Sequence, residues 1–204
     1  MLGWRGLAGA LELAAVIASS ALAQEPDPDR AARLMDDLMW GRGHVGGPFT
    51  LIDHTGKQRT DADFRGKLLI VYFGYTTCPD ICPTELMQIG LAVDKLGAAG
   101  DEVQPLFISV DPERDTPAVL APYVAQFHPR LIGLTGTPQQ IRSVADSYKA
   151  YYAKYTPPDG AIYLIDHTGF VYLVGRDGQY AGFFPPGTTA DRMIEIILPL
   201  LAKH

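Results

Sequence analysis

Apolar positions fall along this chain in two kinds of run. Leu68 to Phe73 and Val103 to Val110 are apolar at nearly every position, as in strands buried on both faces. Glu85 to Leu96, Ile141 to Tyr148 and Met193 to Leu200 instead space their apolar residues three and four apart, the period of a helix with one buried face. Shorter segments fill the intervals. Phe49 to Asp53 and Lys57 to Thr60 read as a hairpin turned at His54-Thr55-Gly56, and Leu131 to Leu134 as a short strand. Ile162 to Asp166 and Val171 to Val174 read as two more strands, joined by a hairpin-sized link, His167-Thr168-Gly169-Phe170. Arg30 to Trp40 suits a short helix, and the glycine-rich stretch Gly41 to Pro48 must be irregular.

Helix boundaries are marked by caps and breakers. Thr77 is a fair N-cap for a helix from about Pro79 to Leu96, which Gly97 and Gly100 stop. Thr116-Pro117 and Thr137-Pro138 pair a capping threonine with a proline at the first helical position, and Thr189 to Ala202 is the closing helix. A parallel βαβ half followed by an antiparallel hairpin and a last helix is the thioredoxin arrangement. The predicted fold is therefore α/β: a thioredoxin-like three-layer fold with a central mixed sheet, an N-terminal hairpin extension and an inserted helix. The hexapeptide LIDHTG occurs at Leu51 and again at Leu164. With so little similarity around it, it reads as two hairpins sharing one turn chemistry rather than as an internal repeat.

Composition narrows the function classes. A net charge of −6 without basic blocks argues against nucleic acid as a partner. Residues 1–23 differ from the rest: Arg5, an apolar run from Leu7 to Ala18 broken only by Glu12, then Ala21-Leu22-Ala23 as a cleavage site. They read as an export signal. The alternatives are a buried amphipathic helix, which Glu12 would suit, and a membrane anchor, for which the run falls short of the ~20 residues needed to span and carries Glu12. Residues 24–45 read as a flexible lead-in and 46–204 as the folded domain. Export places the chain in the periplasm, soluble after cleavage or tethered to the inner membrane by residues 7–23, where a disulfide can persist.

The only two cysteines, Cys78 and Cys82, sit between the first central strand and the helix after it. One helical turn apart, their Cα atoms would be about 6 Å from each other. That suits a disulfide, which needs ~4.4 to 6.8 Å, and also two thiolates sharing a metal ion. A disulfide closing so short a loop stabilises little, so a redox or metal role outweighs a structural one. The helix N-terminus favours thiolate, more strongly at Cys78, which is the better nucleophile, with Cys82 resolving. A metal would need a third ligand. Of the five histidines, His54 reads as a turn residue and His128 as a surface residue. His44 lies in the lead-in and His204 at the chain end. His167 follows a strand that a thioredoxin-like fold sets beside the dithiol. Asp80, between the cysteines, would favour a bound cation or simply be solvated. Asp166 would orient the His167 loop or accept its second ring N–H. The loop Asp111 to Asp115 is too hydrophilic for core and reads as solvated or as part of a docking surface.

Several motifs stand in a fixed order: GGPFTL from Gly46, YFGYTTCPDICPTEL from Tyr72, FISVDPERDTP from Phe107, LTG from Leu134, YKAYYAK from Tyr148 and DHTGFVYLVGRDG from Asp166. Over roughly Arg42 to Leu200 the chain resembles the Sco/SenC family of thioredoxin-like copper-binding proteins, which assist assembly of the CuA centre of cytochrome c oxidase. The resemblance implies one copper ion per chain, Cu(I) or Cu(II), held by Cys78, Cys82 and His167. It implies a copper chaperone whose partner is the CuA domain of oxidase subunit II, together with other periplasmic copper chaperones or thiol-disulfide reductases. The alternative is a periplasmic thiol-disulfide reductase that keeps the target's copper-site cysteines reduced. A peroxidase reading lacks the usual threonine spacing before the thiol, and a structural zinc site would want a fourth ligand.

Overall fold

The computed structural model describes residues 28–39, 44–158 and 162–202. The expected leader, the start of the lead-in and His204 lie outside the described residues. The elements in chain order are α1 (Pro28–Met39), β1 (Thr50–Asp53), β2 (Gln58–Thr60), β3 (Leu68–Gly74), α2 (Ile81–Lys95), β4 (Val103–Ser109), α3 (Pro117–Val124), β5 (Ile132–Thr135), α4 (Pro138–Ser147), β6 (Tyr152–Tyr155), β7 (Leu164–His167), β8 (Val171–Val174), β9 (Tyr180–Phe184) and α5 (Ala190–Leu201). Among them no helix is long and apolar enough to cross a membrane.

Seven strands form one mixed sheet in the order β2-β1-β5-β4-β3-β8-β9. β3 lies parallel to β4, with Tyr72 opposite Phe107, and antiparallel to β8, with Val71 opposite Tyr172. Every residue of β3 is buried, as its unbroken apolar run requires. Successive side chains on a strand point to opposite faces. Phe73 meets the Tyr148 ring just after α4, at 5.4 Å between centroids. Next to it, Gly74 faces Cys82 in α2. Helices thus cover both faces, and the result is a thioredoxin-like α/β fold with added N-terminal strands and inserted helices.

The C-terminal half departs from the sequence reading. β7 and β8 are not partners in a hairpin. β7 leaves the main sheet and pairs antiparallel with β6, with Tyr152 opposite His167. β8 pairs instead with β3 and, through the true hairpin, with β9. Burial explains the split: all of β8 is buried and fits mid-sheet, whereas β7 exposes Asp166 and is half-covered. β6 and β9 went unread because YAKY is too short and has no buried face to set a period, and Gly182 interrupts YAGFF. His128 is also no surface residue. It is 5% exposed, its Nδ1 accepts from the Arg130 N–H, and its Nε2 lies 3.1 Å from an Asp94 carboxylate oxygen.

The loop Asp111 to Asp115 is the largest correction. Asp111 and Asp115 are both 0% exposed. Hydrophilic side chains can be buried this deeply only when their hydrogen bonds are satisfied, and here they are. Asp115 accepts from the Thr76 N–H at 3.0 Å, the Thr76 hydroxyl at 2.5 Å and the Ser109 hydroxyl at 2.5 Å. The two aspartates make the loop a clamp on the cysteine segment, while Glu113 between them is exposed as expected.

Candidate metal centre

β3 ends at Gly74, and the chain then turns through Tyr75-Thr76-Thr77 to Cys78. The turn is closed by the Cys78 N–H donating to the Tyr75 carbonyl and anchored by Thr76 on Asp115. α2 begins at Ile81, with Asp80 rather than Thr77 in the N-cap position and no side-chain cap bond. Pro79 thus lies before the helix. Pro83 falls within its first turn, where a missing N–H costs nothing. Cys82 is in that first turn, and Cys78 precedes it, with the backbone N–H groups of Asp80 and Cys82 directed at its sulfur. The cysteines are therefore not one helical turn apart on one face, yet both sulfurs converge on the same point.

His167 arrives from the separate β6–β7 ribbon. Its ring packs edge-on against Tyr72 and Tyr75, at 6.3 and 5.8 Å between centroids. Its Nε2 lies 3.3 Å from the Cys82 sulfur. The sulfurs of Cys78 and Cys82 and a ring nitrogen of His167 all lie within 4.8 Å of one another. Trigonal binding at bond lengths of about 2.0 to 2.3 Å sets donors about 3.5 to 4 Å apart, so the three atoms fit one ion with little movement.

The ring's orientation matters as much as its distance. His167 Nδ1 lies 3.1 Å from the Thr168 carbonyl oxygen, which can only accept, so Nδ1 carries the proton. Nε2 then presents its lone pair to the two sulfurs, as a metal-ligating imidazole must. Asp166 does not serve as the partner of the second ring nitrogen. Alternation along β7 sends its side chain to the opposite face, where it is exposed. Asp80 is exposed too, and it is its backbone N–H, not its carboxylate, that reaches Cys78.

The two thiols are electrostatically unequal. Cys78 is driven well below the ordinary thiol range, first by a hydrogen bond from Cys82 and, against the opposing effect of burial, by the backbone N–H groups of Asp80 and Cys82. Cys82 is driven up, first by holding the proton toward Cys78, then by burial and the Cys78 charge. The arrangement is a thiolate at Cys78 accepting from a thiol at Cys82. Cys82 is 0% exposed and Cys78 8% exposed, so Cys82 is the floor of the site while Cys78 and half-buried His167 form its rim. Both cysteines are free.

Two contributors went unnoticed in the sequence. Gly74 is one: a Cβ there would lie 2.7 Å from the Cys82 sulfur and 3.0 Å from the Phe107 ring. Its absence makes room for the sulfur, and a glycine ending a buried strand directly before a cysteine loop was the available signal. Gly74→Ala should displace Cys82 and lower metal affinity on the order of tenfold, with about 1 to 3 kcal/mol lost to overpacking. Unchanged affinity in a competition titration would show that Cys82 has slack. Glu85 is the other. It is buried one turn after Cys82, its Oε1 accepts from the Gly187 N–H at 2.6 Å, and burial pushes its carboxyl up. It ties α2 to the loop before α5.

Fold and site together define a class: a thioredoxin-like dithiol protein whose central strand delivers two cysteines to a histidine, a donor set for a soft metal. The chain belongs to the SCO1/SenC family, whose profile matches residues 39–202. It is 46% identical over 165 residues to the mitochondrial protein SCO1 homolog 1 of Arabidopsis thaliana, covering 80% of this chain and 49% of that one. The chain thus spans about half the length of that relative. Among solved structures, the copper-bound ScoI of Arabidopsis thaliana matches with a TM-score of 0.74 at 43% identity, covering 78% of this chain and 99% of that one. The copper-bound ScoI of Bradyrhizobium japonicum matches with a TM-score of 0.71 at 42% identity, covering 76% and 99%.

Proposed function

We propose that this protein is a copper chaperone that binds one copper ion through Cys78, Cys82 and His167 and passes it to the CuA centre of cytochrome c oxidase. The observation that carries the reading is the convergence of two sulfurs and a correctly oriented imidazole lone pair within 4.8 Å. Two thiolates and a neutral imidazole suit Cu(I), which is soft and accepts three ligands; Cu(II) would add an oxygen ligand. The copper-bound relatives support the choice of metal. Release is helped by the layout of the site. A partner's thiolates can reach copper from the Cys78 and His167 rim and displace those ligands one at a time, leaving buried Cys82 until last. The partner is the CuA domain of oxidase subunit II, met in the periplasm after export.

The unequal thiols favour a second activity on the same residues. The Cys78 thiolate attacks a disulfide in the target, releasing one target thiolate and forming a mixed disulfide. Cys82 then gives up its proton, attacks Cys78 and expels the second target thiolate. Two electrons leave the Cys78–Cys82 pair, and another thiol-disulfide reductase must return them. The two readings separate in one experiment: the copper-loaded domain is mixed with an isolated, reduced CuA domain, and Cys82→Ser is mixed with the oxidised one. Stoichiometric copper transfer supports the chaperone. A mixed disulfide trapped by Cys82→Ser, without copper transfer in the first arm, moves the function to the reductase.

A further inference from the structure

The two halves of the metal site belong to different sheets. The cysteines follow β3 of the main sheet, while His167 ends β7 of the ribbon, which shares no ladder with it. Something must hold the ribbon in place, because a ligand free to drift by an ångström binds poorly. The Asp111 to Asp115 loop is where the two halves meet. On one side Asp115 grips Thr76, two residues before Cys78. On the other, the neighbouring Arg114 grips the ribbon. Its Nε donates to the buried carboxylate of Asp111. Its Nη1 donates to the Tyr163 carbonyl at 3.0 Å, and its guanidinium carbon lies 3.8 Å from the Tyr163 ring centroid. The Tyr163 hydroxyl closes the ring by donating to Asp111 at 2.8 Å. Beside it, the Ile165 N–H donates to the Tyr75 hydroxyl at 3.2 Å, and Arg114 also stands 5.7 Å from the Tyr75 ring.

We propose that Arg114 is a positioning residue of the metal site: fixed by Asp111, it holds Tyr163 and so sets the strand of His167 against the cysteine loop. This rests on the reading of Cys78, Cys82 and His167 as the metal ligands. Only a planar fork serves here. One edge bonds a carboxylate, another a backbone carbonyl, and the face stacks on an aromatic ring, none of which a lysine reproduces together. Arg114 and Asp115 are adjacent, so the register between dithiol and imidazole is fixed within one turn of chain.

The test combines a double-mutant cycle with hydrogen exchange. Arg114→Gln, His167→Ala and the double variant are titrated with Cu(I) against a competing chelator, and amide exchange is followed in the metal-free wild type and Arg114→Gln. Arg114→Gln should lower Cu(I) affinity by about tenfold or more, with no further loss once His167 is alanine, because Arg114 acts through that ring. Exchange at the Ile165 amide should quicken by about tenfold, with β3 and β4 amides within about threefold of wild type. An equal affinity loss in the His167→Ala background, or unchanged Ile165 exchange, would overturn the proposal. If His167→Ala alone leaves affinity unchanged, the ligand reading has failed, and the Ile165 exchange still decides whether Arg114 holds the strand. Should Arg114→Gln not fold, Tyr163→Phe removes one bond of the same ring and is judged by the same criteria.

Discussion

Replacing His167 with alanine is expected to lower Cu(I) affinity by about 100-fold or more while the dithiol still cycles. Loss of a group that merely orients a ligand costs roughly 10- to 100-fold in metal affinity. Loss of the ligand itself belongs at or above the top of that range. The redox pair should be spared because the strongest influence holding Cys78 as a thiolate is the hydrogen bond from Cys82. The check pairs a chelator-competition titration with the rate at which the reduced protein reduces a disulfide substrate. Equal Cu(I) affinity in wild type and variant would remove His167 from the site. A collapse of the redox rate would mean that the imidazole, not Cys82, activates Cys78.

Asp115→Ala should produce the largest stability loss of any single substitution near the site. The carboxylate is fully buried and accepts three hydrogen bonds, from the Thr76 N–H, the Thr76 hydroxyl and the Ser109 hydroxyl. Hydrogen bonds to a charged group contribute about 1.5 to 3 kcal/mol each, and the donors left behind would be buried without partners. The bonds share one group and do not add in full, so the expected cost is about 3 to 5 kcal/mol. For a domain of this size that lowers Tm by roughly 6 to 20 °C. Asp115→Asn keeps one of the two acceptor oxygens and should lose less than the alanine variant. A cost below about 1 kcal/mol for the alanine variant, by denaturant unfolding, would mean that the clamp contributes little.

The hexapeptide LIDHTG shows how far sequence reasoning reached. At Leu51 it forms the expected hairpin: Asp53 accepts from the Thr55 and Lys57 N–H groups, and His54 Nδ1 accepts from the Gly133 N–H. At Leu164 the same letters do something else. There His167 faces two sulfurs, and Thr168 receives its ring proton through the backbone carbonyl rather than Asp166 through its side chain. The turn chemistry itself differs: Gly56 takes a positive φ of 84° and closes a turn on Asp53, whereas Gly169 does not and Asp166 caps nothing. The partner strand differs too, and no hexapeptide encodes that. The helices and the central strands were legible because their apolar periods are long and unambiguous, as in β3 and α2. β6 and β9 were not, since both are short and their pairing is decided by tertiary context.

The metal donors were legible as residues but not as geometry. Two cysteines four apart suggested one helical face, whereas α2 starts at Ile81 and Cys78 reaches the site from the preceding loop. Asp80 and Asp166 attracted notice through their charge, yet both point to solvent. The acidic groups that organise the site lie in a stretch whose polarity suggested exposure. In Asp111-Pro112-Glu113-Arg114-Asp115, charge complementarity within five residues was the available sign that the loop could be buried.

The most direct measurement is a copper titration of the reduced folded domain, purified without added metal, with the optical spectrum of its Cu(II) form. The account predicts one copper ion per chain, an intense thiolate-to-copper absorption, and loss of both on replacing Cys78, Cys82 or His167. Absence of stoichiometric copper, alongside a readily cycled Cys78–Cys82 disulfide, would contradict it and leave a thiol-disulfide reductase.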